Sequence, residues 1–140
     1  MRPLFAIAIV LLSACATTGG APEATVQEFL AALDKGDPGI ALLFTEDATM
    51  FFPMNAQPLR LNGRAEIAAA FASLFGPNYR GGMPPPQDLR VQRSGDSAVV
   101  TFQTTNPNVT SRRTLVLRRE GGRWRIAHLH GSNIRKEPQP

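Results

Sequence analysis

The 140 residues include one cysteine, one tryptophan, one tyrosine and two histidines. A lone cysteine excludes an intrachain disulfide framework and any zinc cage built of cysteines. Two imidazoles and one phenol leave few ways to assemble acid–base machinery. No stretch reaches the about 20 consecutive apolar residues that a membrane-spanning helix needs. Lysine is scarce as well: all but two of the 15 cations are arginine. Those arginines nowhere form the unbroken basic block of a nucleic-acid patch.

What remains is the composition of a folded globular chain, 43% hydrophobic and 19% charged, with length for one domain. The net charge of +4 is uneven. Residues 1–79 hold four basic side chains against seven acidic ones; residues 80–140 hold eleven against four. In the second half the arginines mostly alternate with apolar residues, the pattern of a solvated sheet face. No nucleic-acid partner is expected.

Met1-Arg2-Pro3 carries one positive charge, and Leu4 to Leu12 is continuously apolar. That run has the length of a signal-peptide hydrophobic region. Leu12-Ser13-Ala14-Cys15 then resembles a bacterial lipobox, in which the peptide is cut before the cysteine and the cysteine is acylated. The resemblance implies a signal peptide over 1–14, a lipidated Cys15 and a tether over 15–21. It also implies membrane attachment through the lipid. Ala16 rather than Asp after the cysteine is similar to outer-membrane lipoproteins, which places the domain in the cell envelope, facing the periplasm.

Pro22 and Glu23 suit the first turn of a helix, and Val26, Phe29, Leu30 and Leu33 recur on one face of it. Gly36 is a natural stop. A short second helix is expected near Asp37-Pro38, and a strand over Thr49 to Phe52. Asn62-Gly63 reads as a turn, and Arg64 to Phe75 as an Ala-rich helix. Gly and Pro throughout 76–88 preclude a regular element. Two hairpins follow: Leu89–Arg93 with Ala98–Thr104, and Ser111–Arg119 with Arg123–Gly131 across Gly121-Gly122. Helices first and antiparallel strands after them predict an α+β fold.

The closing stretch from Arg112 to Ser132, with Arg112-x-Thr114, a glycine turn, then Trp124-x-Ile126-x-His128-x-His130-x-Ser132, resembles SnoaL-like proteins of the nuclear transport factor 2-like superfamily. The same ending is similar to the association domain of calmodulin-dependent protein kinases. The resemblance spans 22–134, leaves 135–140 as a tail, and implies a conical α+β barrel, a curved antiparallel sheet wrapped around the N-terminal helices. A homodimer is expected from it.

Regular alternation along the last strand puts Trp124, Ile126, His128, His130 and Ser132 on one face. A two-residue turn at Gly121-Gly122 sets Arg113 opposite His130, and a three-residue loop sets Arg112 there. The family's Arg-x-Thr pattern favours Arg112. Arg112, His128, His130 and Ser132 are therefore expected to make an anion-receptive pocket suited to a carboxylate, with Trp124, Met50 and Phe52 as apolar walls. A His-based lyase or isomerase using His130 as catalytic base is the alternative, because the later strands offer no interior carboxylate. A structural or oligomerisation domain with a filled core is the third reading. His128-x-His130 has the spacing of a chelate, yet no third histidine accompanies it; no metal and no cofactor are expected.

Overall fold

The computed structural model describes residues 20–52 and 60–136. Helix α1 spans Pro22–Lys35, with Glu23 in its first turn and Gly36 ending it. A 3₁₀ turn over Pro38–Leu43 follows, opened by the Asp37 carboxylate, which accepts from the Gly39 amide at 2.8 Å. Strand β1 is Phe44–Phe51, β2 is Arg60–Asn62 and helix α2 is Gly63–Leu74. Four strands complete the chain: β3 (Gln87–Ser94), β4 (Ser97–Thr105), β5 (Val109–Glu120) and β6 (Arg123–Arg135). The chain is α+β, as its pattern predicts.

The six strands form one curved, open sheet in the order β2-β1-β6-β5-β4-β3. Every pairing is antiparallel except that of β1 with β6, which is parallel. The antiparallel expectation therefore needs this one amendment. β1 pairs with the last strand, so the two ends of the domain meet in mid-sheet.

Val26 and Phe29 of α1, Ile40, Phe44 and the α2 residues Ile67 and Phe71 are all buried against the concave face. From the sheet, Val100, Leu115, Leu117, Trp124, Ile126 and Leu129 meet them. The Phe29, Phe44 and Phe71 rings stand 6.1–6.3 Å apart in edge or tilted contacts. Each such burial contributes roughly 1.5–3 kcal/mol, so the apolar stripe of α1 is what docks the helix.

The Gly/Pro segment after α2 is irregular, as expected, but it is not loose. Asp34 Oδ1 accepts from the amides of Gly82 at 2.8 Å and Met83 at 3.0 Å. Tyr79 donates its hydroxyl to the Leu33 carbonyl, and its ring stands edge-on to Phe75 at 4.9 Å. Burial, with the nearby Asp34 charge, pushes the Tyr79 phenol above its ordinary value. The segment is thus buttoned onto the C-terminal end of α1.

The β5–β6 hairpin decides which side chains share a face. Gly121 and Gly122 have φ of 55° and 77°, the positive values a two-residue turn requires, and Glu120 pairs with Arg123. Pairing runs regularly as far as Leu117 opposite Ile126, and the next pair is Val116 opposite His128. Ala127 has no partner and forms a β-bulge. The bulge reverses the alternation. Trp124 and Ile126 face the core as expected, but so do Leu129 and Gly131, while His130 and Ser132 are exposed. The expected common face for Trp124, Ile126, His128, His130 and Ser132 is corrected here: one extra residue moves the last three to the outer side. Neither expected register occurs, since Thr114 lies opposite His130, Arg113 opposite Gly131 and Arg112 opposite Ser132.

Candidate functional site

The outer face carries Arg112, His128, His130 and Ser132 together, so four of the expected binding residues do share a surface. It is the convex one. Thr49 Oγ1 and His128 Nδ1 are hydrogen-bonded at 2.7 Å. Phe51, opposite His130 on β1, sets its ring 5.8 Å from the His128 ring and 5.5 Å from the His130 ring. His128 is half-buried, and that burial, then the His130 charge, holds its imidazole below the ordinary histidine value. Arg112 is exposed beside Gln103 and Ser132. Arg112 borders a shallow depression with Asp88, Gln103 and Thr114, whereas His128, His130 and Ser132 form a stripe across the sheet face.

The expected walls lie on the other side. Met50 is 2% exposed and belongs to the core, and Trp124 is 5% exposed. Two guanidinium carbons flank the Trp124 ring, Arg93 at 5.0 Å and Arg119 at 5.2 Å from its centre. Phe52 is half-buried with its ring edge-on to Phe71 at 6.0 Å. These three therefore support the fold interior and are separated from the histidines by the thickness of the sheet. Cys15 lies outside the described residues.

Arg113 takes the position that Arg112 was expected to hold. On β5 the buried side chains are Leu115 and Leu117, so Arg113 points to the same concave side, paired with Phe102 and Gly131. It stands past the buried Leu115, at the open end, or mouth, of the concave face beside buried Phe102, and lines a shallow depression with Asp88, Phe102, Gln103 and Arg112. Its Nη1 donates to the carbonyl oxygens of Arg112 at 2.9 Å and Ser132 at 3.3 Å. Burial pushes its guanidinium below the ordinary arginine value. Among the described residues no carboxylate pairs with it and no acceptor meets its Nε or Nη2. By contrast, Arg118 is held between Glu120 at 2.5 Å and Asp47 at 2.8 Å, whose hydrogen bonds raise its pKa, and its guanidinium, with the Thr45 hydroxyl, lowers that of Asp47.

Chemically, an oriented guanidinium with its Nε–Nη2 edge open is a bidentate receptor for a carboxylate or similar planar anion. The β5 alternation Arg113, Leu115, Leu117 contains the signal for this residue; the family pattern pointed one position earlier. Proton transfer at the mouth lacks a histidine, because His130 is on the convex face. Among the described residues no three His, Cys, Asp or Glu side chains converge to hold a metal ion.

Helices packed on a curved, open six-stranded sheet are also the fold of several solved structures. An NTF2-like protein of unknown function from Pseudomonas putida superposes with a TM-score of 0.68 at 24% identity, over 79% of this chain and 82% of that one. A proposed ketosteroid isomerase from Shewanella frigidimarina gives 0.68 at 22% identity, over 84% and 98%. A proposed calcium/calmodulin-dependent protein kinase type II association domain from Thiobacillus denitrificans gives 0.66 at 26%, over 83% and 97%. The family model for the SnoaL-like domain matches residues 23–136, and the chain belongs to that family. A search of the curated proteins found no match.

Proposed function

We propose that this SnoaL-like domain binds a small anionic, apolar-bodied molecule at the mouth of its cone, with Arg113 as the anion receptor. The observation that carries this reading is the half-buried Arg113 guanidinium, anchored through Nη1 and open along its Nε–Nη2 edge. A desolvated cation without a carboxylate is costly, and a bound carboxylate offsets that cost. Phe102, opposite Arg113 on β4, is an aromatic neighbour on that side for an apolar body. The lyase or isomerase reading loses its base with His130 outside, so binding rather than turnover is the function favoured. Calorimetric titration with benzoate tests it. The wild-type protein should bind, and Arg113→Ala should weaken binding roughly ten- to a hundredfold, the loss of about 1.5–3 kcal/mol from a charged hydrogen-bonded pair. Arg112→Ala should leave it unchanged. Loss on Arg112→Ala instead, or no binding by the wild type, overturns the proposal.

A second reading accompanies the first: the convex sheet face pairs with a second copy of the chain. Phe51, 39% exposed between two imidazoles, favours it, since a ring in the middle of an open sheet face is the kind of surface that self-association covers. Both readings place the domain on an acylated Cys15 in the bacterial cell envelope, facing the periplasm, for which the lipobox-like Leu12–Cys15 is the support.

A further inference from the structure

The first described residues, Gly20 and Ala21, line a shallow depression with Ala24, Arg123 and Trp124, beside the β5–β6 turn. Thr25 Oγ1 donates to the Trp124 carbonyl at 3.1 Å, which pins the start of α1 to that end of the sheet. Leu42 is at the same level: β1 and β6 run parallel with Phe44 beside Ile126, and Arg125 Nη1 donates to the Leu42 carbonyl at 2.6 Å. Leu42 is 65% exposed, the most exposed large apolar side chain described. Around it Arg123 and Arg125 meet no carboxylate among the described residues, whereas Arg118 and Arg119 face Glu120, Asp47 and Asp96. Glu23 and Glu28 lie on the α1 side of this end. Arg113 is at the far end of β5, seven residues from Glu120, or about 23 Å along the strand.

Four residues lie between Cys15 and Gly20, five steps along the chain and a reach of at most about 18 Å. We infer that the β5–β6 turn end, with Leu42, Arg123 and Arg125, rests on the surface of the lipid bilayer, and that the Arg113 mouth opens away from it. This inference rests on the lipid-anchor reading. Leu42 enters the interface as an apolar contact, and Arg123 and Arg125, which no described carboxylate neutralises, face anionic headgroups. The ligand then arrives from the aqueous side and not out of the bilayer.

The experiment uses the full-length, acylated protein in vesicles of phosphatidylethanolamine and phosphatidylglycerol. A fluorophore is placed on Leu42→Cys or, at the β4–β5 turn by the mouth, on Asn108→Cys; an acylated Cys15 has no free thiol to label. Nitroxide-bearing lipids should quench the label at 42 several-fold more than the label at 108. Equal quenching, or stronger quenching at 108, overturns the orientation. Flotation with the vesicles and the acyl mass of the N-terminal peptide are read on the same samples. A protein that carries no acyl chain ends the anchor reading and this one with it. A protein that floats but quenches equally at both positions ends only this one.

Discussion

Two residues carry predictions through their surroundings alone. His128 is half-buried on the sheet face with its imidazole below the ordinary value near 6.5, so the folded protein takes up its proton less readily than the unfolded chain. Protonation therefore favours unfolding. Its effect on stability is absent well above about pH 6.5 and grows as the pH falls through that value toward the folded pKa. Melting temperatures recorded from about pH 7.5 to about pH 5 should decline on the acid side, and His128→Asn should flatten part of that decline. An unchanged slope would place the titration elsewhere. Trp124 stands at the opposite extreme. Buried at 5% exposure under α1, with Arg93 and Arg119 on its faces, it should cost about 3–5 kcal/mol when truncated to Ala, a large part of a domain's roughly 5–15 kcal/mol. Thermal denaturation should show a fall of roughly 10–20 °C, and a shift of a degree or two would mean that the ring is not core.

At the scale of elements, the segment buttoned to α1 separates two glycines of similar backbone conformation. Gly81 has φ of 63° and Gly82 of 76°, so alanine is strained at both. A Cβ on Gly81 would lie 2.1 Å from the Asp34 carbonyl oxygen, whereas one on Gly82 meets nothing within 4 Å. Gly81→Ala should therefore destabilise by on the order of 1–3 kcal/mol more than Gly82→Ala, and should open residues 76–86 to proteolysis. Equal effects in chemical denaturation would show that the backbone gives way without penalty. The elements themselves were largely legible, because Val26, Phe29, Leu30 and Leu33 keep a helical period and Ala98 to Thr104 a strand period. The apolar run Thr49 to Phe52 marks only the second half of β1, because Glu46 and Asp47 interrupt its alternation with two exposed neighbours. Asn62-Gly63 turns the chain from β2 into α2, with Glu66 accepting from the Asn62 amide at 2.7 Å. The site was less legible. Large apolar residues at 124, 126 and 129 step by two and then by three, the trace of the bulge at Ala127, but His128 and His130 continue the simple alternation and mask it. A bulge is a property of the pair of strands, and β5 alone does not announce it.

For the whole molecule, the two faces of the sheet divide the proposed work. The concave mouth receives the anion, and the convex face meets a second copy. Phe51→Asp changes only the convex face, where the ring is 39% exposed, so the fold should survive it. Sedimentation velocity should report a dimer for the wild type and a monomer for Phe51→Asp, with benzoate binding intact in both. A wild type that sediments as a monomer at every concentration removes the self-association reading and leaves Arg113 untouched.

Because β1 and β2 join the rest of the sheet only through β6, the pair they form stays apart from β3, β4 and β5 until the last strand emerges. α1 waits as well, since its hydrogen bond from Thr25 reaches across 99 positions to Trp124. Assembly is thus governed by contacts distant in sequence, which form slowly. A nascent chain of this kind lacks its complete sheet for most of its synthesis, and an incomplete sheet is more easily drawn through a narrow channel than a finished one. The sheet is complete only once β6 has been made.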